Sequence, residues 1–462
     1  MEDQSGIIRR IFEERGVAVP AERDALFRQF LGAPRNKALI EVIMQTGNML
    51  MDGWKREEKI RQMVQQPVRI PNATVGKPYT ATLDFEQLGW TGIAQAHFTG
   101  LEELGLAYDA ATRQISGTPT QSGELKIIFH FKMEGGSEDA PFNEKPFHLT
   151  INPDPKSLWK AIDSDRSDPY WKEDNVTRFA PLGNRHILVS SKRGRSHANV
   201  GSFREDDFAF ASLENGWNIV VVSDGAGSAK LSRKGSAIAC NSVIDFFSHA
   251  ESATDLEQLE NLVQQGGQEK ELNKAVYNCL GKAAFSTHKA LEAFAAENGA
   301  ALKDLSATLI FTIWKKLDAG YAFFSFGVGD CPIALLNKEV TEVTMMNWLD
   351  VGEFGGGTRF ITMPEIFANE KFATRFGFKM VADFSYLILM SDGIYDPKFI
   401  VEAALPKVEK WQEFLADLGG ANAEGAAVQL AADNPDIEQQ LSAWMDFWSP
   451  GNHDDRTLAI VF

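Results

Sequence analysis

Residues Ile219-Val220-Val221-Val222-Ser223-Asp224-Gly225-Ala226-Gly227-Ser228 join an unbroken apolar run to an acidic residue and a glycine-rich turn. A run of this kind reads as a strand buried on both faces. The arrangement recurs at Tyr386-Leu387-Ile388-Leu389-Met390-Ser391-Asp392-Gly393. It recurs with the acid first at Asn452-His453-Asp454-Asp455-Arg456-Thr457, which opens the run Leu458-Ala459-Ile460-Val461-Phe462. A strand holds its end rigidly, so a carboxylate placed there projects at the rim of a sheet. Three such carboxylates converging repel one another unless a cation lies between them. Mg²⁺ and Mn²⁺ are hard cations that take oxygen ligands, and a glycine after the aspartate lets the backbone come close and offer its carbonyl. Two metal ions ~3.5–4 Å apart lower the pKa of a bridging water and make a hydroxide that can attack phosphorus in line. Asp-Gly after a strand is also an ordinary turn signal, so the joint pattern carries this chemistry and neither pair does alone.

The rest of the composition is compatible with such a centre. The chain has 462 residues, 44% of them hydrophobic, and 63 acidic against 46 basic residues give a net charge of −17. That balance excludes a general nucleic-acid binder, which needs a basic face. The three cysteines Cys240, Cys279 and Cys331 are widely spaced with no C-x-x-C pair, which argues against a disulfide framework or structural zinc and for a reducing compartment. The N-terminus shows no basic region followed by an apolar one, and no apolar stretch approaches the ~18 residues of a membrane span. A cytoplasmic protein is expected.

Four regions are expected. Residues 1–65 carry apolar residues at helical spacing (Ile7, Ile8, Ile11, Phe12; Leu26, Phe27, Phe30, Leu31; Ile40, Ile43, Met44, Met51), punctuated by Pro20 and Pro34. They read as a helical segment that can serve oligomerisation. Residues 67–153 contain short alternating runs bounded by turn residues, among them Tyr79–Leu83, Leu125–Phe131 and Phe147–Ile151, and read as a β-sandwich. Residues 154–180 read as a linker. Residues 183–462 alternate strand-like and helical stretches, so the whole is a multidomain α+β chain. In the last region, residues 347–375 hold Gly352, Gly355, Gly356 and Gly357, which read as a flap. Cys331 lacks an activating histidine pattern and is not read as a nucleophile.

Gly105-Leu106-Ala107-Tyr108-Asp109-Ala110-Ala111-Thr112-Arg113-Gln114-Ile115-Ser116-Gly117-Thr118-Pro119 resembles the G-L-x-(F/Y)-D-x-x-T-G-x-I-S-G-T-P signature of an immunoglobulin-like domain family, with Arg113 in place of glycine. That resemblance implies a binding or spacer module.

Residues 183–462 resemble the metal-dependent protein phosphatase family PP2C, whose motifs occur in order. They are Glu205-Asp206; Ser223-Asp224-Gly225-Ala226-Gly227-Ser228; Asp304-Leu305-Ser306-Ala307-Thr308-Leu309, with Ala307 in place of glycine; Phe326-Gly327-Val328-Gly329-Asp330; Ser391-Asp392-Gly393; and Asp454-Asp455-Arg456-Thr457. Gly194-Arg195-Ser196-His197 and Gly352-Glu353-Phe354 with Thr358-Arg359-Phe360 are similar to the bacterial PphC-like branch. The resemblance implies an α-β-β-α sandwich with two Mn²⁺ or Mg²⁺ ions at one edge. Asp224 would bridge them, the Gly225 carbonyl would bind the second, and Asp392 and Asp454 would hold the first. Glu205 and Asp206 would act through metal-bound water, and Asp304 matches the position of a weaker third ion. It implies direct attack of the bridging hydroxide on phosphoserine or phosphothreonine in a phosphoprotein, opposed by a cognate Ser/Thr kinase, with no nucleic-acid or membrane partner. Two positions depart from the family. Ala226 stands where many relatives carry a histidine acid, which leaves His453 as a candidate. Gly201 stands where the phosphate-binding arginine lies, which leaves Arg204, Arg195, Arg193, Lys192 and His197. The competing function class is a scaffold with a degenerate site that acts through the immunoglobulin-like module.

Overall fold

The periodicities of the first 65 residues become three helices, α1 (Gln4–Glu14), α2 (Asp24–Gly32) and α3 (Pro34–Gln65), in a computed structural model that describes residues 4–350, 357–368 and 370–462. Pro34 opens α3, where its missing N–H is not needed. Seven strands follow: β1 (Ala73–Thr74), β2 (Tyr79–Thr82), β3 (Ile93–Thr99), β4 (Leu106–Asp109), β5 (Gln114–Gly117), β6 (Gly123–Met133) and β7 (Asn143–Asn152). They form a four-stranded sheet, β1-β7-β6-β3, and a three-stranded sheet, β2-β5-β4. Tyr79, Ala81, Leu106 and Ile115 of the smaller sheet share one core with Ile127, Phe129, Phe131 and Phe147 of the larger. Lys145 donates to the Val64 and Gln66 carbonyls, satisfying acceptors at the C-terminal end of α3. The β4–β5 hairpin explains the signature glycine, because Arg113 stands there at φ +56°, in the left-handed region glycine favours. Its guanidinium lies 4.7 Å from the Phe85 ring centre, a cation–π contact that offsets part of the strain.

These elements belong to one compact unit, Met1–Leu158, and the remainder to a second, Trp159–Phe462. The second unit contains β8 (Asn175–Leu182), β9 (Arg185–Lys192), β10 (Asp207–Ser212), β11 (Asn218–Ser223), β12 (Leu309–Leu317), β13 (Gly320–Val328), β14 (Ile333–Asn337), β15 (Val343–Met345), β16 (Phe376–Val381), β17 (Phe384–Met390) and β18 (Arg456–Val461). Its helices are α4 (Arg195–Val200), α5 (Ser232–Ser248), α6 (Ala250–Gln265), α7 (Glu269–Glu297), α8 (Glu365–Ala368), α9 (Asp392–Phe399), α10 (Val408–Leu418) and α11 (Ile437–Trp444). Two antiparallel sheets result, β10-β11-β12-β13-β16 and β15-β14-β17-β18-β9-β8.

The unbroken apolar runs have a simple cause. In β11, Val220 and Val222 face a core shared with the other sheet, while Ile219 and Val221 face α5, α6 and α7. In β17, Leu387 and Leu389 face the inter-sheet core, and Ile388 and Met390 face α9, α10 and α11. Both faces of each sheet are covered, giving four layers: helices, sheet, sheet, helices.

The boundary expected at residue 183 moves upstream. β8 pairs with β9 from Asn175↔Lys192 to Leu182↔Arg185, so the sheet begins inside the stretch expected as linker. An edge strand is half exposed and tolerates a residue such as Pro181, so its sequence lacks a strong apolar pattern. Of the expected flap, Gly352, Glu353, Phe354, Gly355 and Gly356 lie outside the described residues. Among the described residues, no helix is long and apolar enough to cross a membrane.

Candidate metal centre

The strand registers bring the motif acids to one rim. Asp207 of β10 pairs with Ser223 of β11, so Asp206 and Asp224 leave the same end of that sheet. Leu309 of β12 pairs with Val328 of β13, which puts Thr308 and Gly329-Asp330 beside them. In the second sheet Met390 of β17 pairs with Leu458 of β18, so Asp392 and the Asp454-Asp455 pair also share an end.

Local bonds fix each acid. The Asp224 amide donates to Thr308 Oγ1 at 2.9 Å and its carbonyl accepts from the Thr308 amide at 2.7 Å, so its backbone is held on both sides. Thr457 Oγ1 donates to Asp206 Oδ2 at 2.8 Å. Asp330 accepts from Thr358 Oγ1 at 2.6 Å. Gly393 opens α9 where a Cβ would overlap the Asp455 carbonyl, so only glycine lets the Asp392 and Asp455 turns meet.

Burial raises the pKa of Asp224 well above the ordinary range, and the charges of Asp392, Asp206, Asp454 and Asp330 add to it. Asp392 is raised likewise, by burial and then by Asp454 and Asp330. Asp206 is pushed up to about 7, by burial and then Asp455. Asp330 is raised chiefly by burial, and so is Asp396, on which Asp330 also acts. The Asp392 Oδ1 atom is buried without a hydrogen-bond donor. A set of mutually repelling carboxylates with an unsatisfied buried oxygen matches the donor chemistry of Mg²⁺ or Mn²⁺.

Other acids of the motifs, Asp455 beside the expected Glu205 and Asp304, have different partners. Asp455 accepts from the amides of Gly194 and Glu205 and from His197 Nδ1 at 3.0 Å. Burial opposes its ionisation, but these donors prevail and hold its pKa below the ordinary value. His197 is desolvated, yet the bond and charge of Asp455 lift it to about 9. His197, Asp454 and Asp455 lie close enough to form a ligand group. The engaged lone pairs of Asp455 make His197–Asp455 a brace between loops instead. Glu205 turns away to accept from Ser232 Oγ at 2.7 Å. Asp304 caps its own turn, accepting from the Ala301 amide at 3.2 Å, and is not among the principal charges acting on the rim aspartates. Asp330 and Asp396 are the acids that sequence reasoning did not assign to the site. Asp330 ends a quoted motif, and Asp396 follows Asp392 by one helical turn.

The expected phosphate-binding cations are all engaged elsewhere. Buried Arg204 donates to the carbonyls of Glu173 (2.8 Å) and Asp206 (2.6 Å) and to Ser191 Oγ (2.7 Å). Arg195 donates to the Phe447 and Asp446 carbonyls. Arg193 donates to the Ser202 and Ile162 carbonyls. Lys192 pairs with Asp446 at 2.6 Å. His453 lies between Trp159 and Trp448, with ring centres 4.4 and 4.8 Å away, and the cations nearest it are Arg195 and Arg456. Burial between those tilted rings lowers its pKa. Arg359 follows Thr358 and its carbonyl lies against Gly329, while its half-exposed guanidinium lies 3.8 Å from the Glu365 carboxylate.

Because Asp392 is a buried charge repelled by its neighbours, Asp392→Asn stabilises the metal-free chain. Its melting midpoint in chelator rises by about 1–2 °C for each ~1 kcal/mol of repulsion relieved, while the stabilisation Mn²⁺ gives the native chain is lost. A lowered midpoint in chelator contradicts this account of the rim.

A family model described as protein phosphatase 2C matches residues 193–446. No curated protein matches the chain. Solved structures similar to it include a bacterial serine phosphatase, at 15% identity over 60% of this chain and 96% of that one with a TM-score of 0.34. A second is the serine/threonine phosphatase Stp1 from Staphylococcus aureus, at 15% identity over 62% of this chain and 97% of that one with a TM-score of 0.36. A third is the catalytic domain of the serine/threonine protein phosphatase PstP in complex with two manganese ions, at 16% identity over 62% and 98% with a TM-score of 0.34. At such TM-scores it is the family match, extending over more than half of the chain, that places it: the chain belongs to the protein phosphatase 2C family.

Proposed function

We propose that this chain is a metal-dependent phosphatase that removes phosphate from phosphoserine and phosphothreonine in proteins. The convergence of Asp206, Asp224, Asp330, Asp392 and Asp454 from two sheets supports this most, because their charges reinforce one another and, among the described residues, the cation at their edge, His197, acts on Asp454 alone of the five. In this reading Asp224, Asp392 and Asp454 hold two divalent cations, with Asp206 and the Gly225 carbonyl completing their surroundings. Bound there, Mn²⁺ or Mg²⁺ supplies a water of lowered pKa and positive charge for the phosphoryl oxygens. The chain's own residues set the geometry: Thr308 fixes the Asp224 backbone, Thr457 orients Asp206, and Asp455 with His197 ties the Gly194 and Glu205 turns together. Arg359, next to the Thr358 that bonds Asp330, takes the phosphate-facing role by exchanging its exposed 3.8 Å pair with Glu365 for the phosphate, for which a planar guanidinium is suited. Asp304 and Glu205 support turns. The complete acidic set disfavours a degenerate scaffold, which has no need of so costly a cluster.

The two-sheet N-terminal unit, with the β4–β5 hairpin at its signature, is the immunoglobulin-like binding module of this reading. The partners of the whole chain are a phosphoprotein substrate and the cognate Ser/Thr kinase. We infer that α3 pairs with α3 of a second copy. Leu39, Val42, Ile43, Met49, Leu50 and Trp54 lie on one face of the helix and are each more than two-fifths exposed. Their combined area approaches the ~800 Å² per partner of a stable interface. An antiparallel crossing at Thr46-Gly47, where the backbone is open, sets Leu39 against Trp54 and Ile43 against Leu50 of the partner's helix.

Three outcomes follow from this reading. Asp224→Ala loses Mn²⁺-dependent hydrolysis of p-nitrophenyl phosphate and of a phosphothreonine peptide by more than the ~100-fold typical of an outer-shell change; retained activity removes the proposal. Arg359→Ala raises KM several-fold with kcat largely kept, and an unchanged KM removes Arg359 from its role. In sedimentation velocity at tens of micromolar the native chain is a dimer and Leu50→Glu a monomer; a monomeric native chain ends the dimer inference.

A further inference from the structure

The segment that precedes β8 lies outside the family match, yet it runs beneath the acidic rim. Lys172 Nζ donates to the Asp206 carbonyl at 2.6 Å, the Glu205 carbonyl at 3.3 Å, Asp207 Oδ2 at 3.1 Å and Ser236 Oγ at 3.2 Å. Its side chain is only 14% exposed. The next residue, Glu173, offers its carbonyl to Arg204, whose guanidinium also reaches the Asp206 carbonyl. Two cations thus converge on the backbone of the one rim acid that is nearly inaccessible to solvent.

The rest of the segment is fastened to the same unit. The Lys160 amide donates to Asn199 Oδ1 and the Ile162 amide to the Ala198 carbonyl. Trp171 Nε1 donates to Ser164 Oγ, and Arg233 pairs with Asp168 at 2.8 Å. At its start the Trp159 ring lies 4.4 Å from that of His453, the residue before Asp454, at a tilt of 56°.

We propose that residues 159–174 are a structural part of the metal centre, with Lys172 as the positioning residue that holds the Glu205-Asp206 turn against carboxylate repulsion. Left to itself, a carboxylate among like charges swings away from them. Hydrogen bonds to its backbone prevent this without engaging any carboxylate oxygen beyond the Oδ2 that already accepts from Thr457. The inference rests on the metal-binding reading above, and one consequence separates it from simple charge balance. Removing a positive charge close to the rim makes the site more negative and on that ground alone tightens cation binding. Losing the support for the turn weakens it.

The test uses the full chain and Mn²⁺ alone. In calorimetric titration Lys172→Met binds Mn²⁺ about 10-fold more weakly than the native chain, as outer-shell changes do, and Lys172→Arg recovers most of the loss. Without metal, the amides of residues 205–207 exchange hydrogen faster in Lys172→Met. Unchanged or tighter Mn²⁺ binding in a folded Lys172→Met chain overturns the proposal. If that variant does not fold, Ser236→Ala decides it: binding weakened about threefold supports positioning, and native affinity overturns it. If the native chain itself binds no Mn²⁺, the metal reading fails, and the amide exchange of the variant still judges the role of Lys172.

Discussion

Repulsion between buried carboxylates is the constraint around which the second unit is built. A carboxyl whose folded pKa exceeds its unfolded value favours the fold only while protonated. Its contribution is complete below about pH 4 and is lost as the pH rises toward the folded value, which is about 7 for Asp206. At neutral pH the metal-free rim therefore opposes folding, and the surrounding structure has to hold it.

That support comes from layers covered on both sides. β11, β13 and β18 are buried along their whole length, so the strand ends that carry the acids cannot shift without disturbing two cores at once. The turns between them are joined by backbone contacts: Thr308 on Asp224, Asp455 on Gly194 and Glu205, and Gly393 against Asp455. These contacts use none of the rim oxygens, of which Asp206, Asp330 and Asp454 each give one to a protein donor. A fold that stabilised the acids by pairing them with arginines would spend the oxygens a cation needs. The arginines nearby bind carbonyls instead.

The strand-Asp-Gly motifs were legible because burial on two faces leaves a continuous apolar run, and a rim acid must directly adjoin it. Tyr79–Leu83, Leu125–Phe131 and Phe147–Ile151 each contribute to a strand for the related reason that one face is buried. β8 was not legible, since an edge strand with Pro181 carries little periodicity. The cations misled for another reason. Sequence places Arg204 and Arg195 near the acidic pair, but only the structure shows their donors already committed to carbonyls. Lys172 lay in a stretch whose composition reads as linker, and no local pattern marks a lysine that will be buried beneath a turn far along the chain. Asp330 was visible as part of a motif, but its nearness to Asp224 depends on the β12–β13 register.

Neighbouring acids of this chain have opposite environments, and the difference separates scaffold from ligand. Asp454 and Asp455 are adjacent, yet burial and the charge of Asp455 raise the first, while three donors hold the second below the ordinary range. Glu205 and Asp206 each give an oxygen to a hydroxyl, of Ser232 and Thr457, but Asp206 is the one whose charge reaches Asp224 and Asp392. Asp304 caps a turn, whereas Asp330 acts on Asp224 and Asp392. A carboxylate whose lone pairs are filled by protein donors gains little from a cation and would lose those bonds to bind one. One left among like charges gains both neutralisation and coordination. By that criterion Asp206, Asp224, Asp330, Asp392 and Asp454 are the acids that gain most from a cation in the proposed centre, while Asp455 and Glu205 brace the turns beside them and Asp304 caps its own.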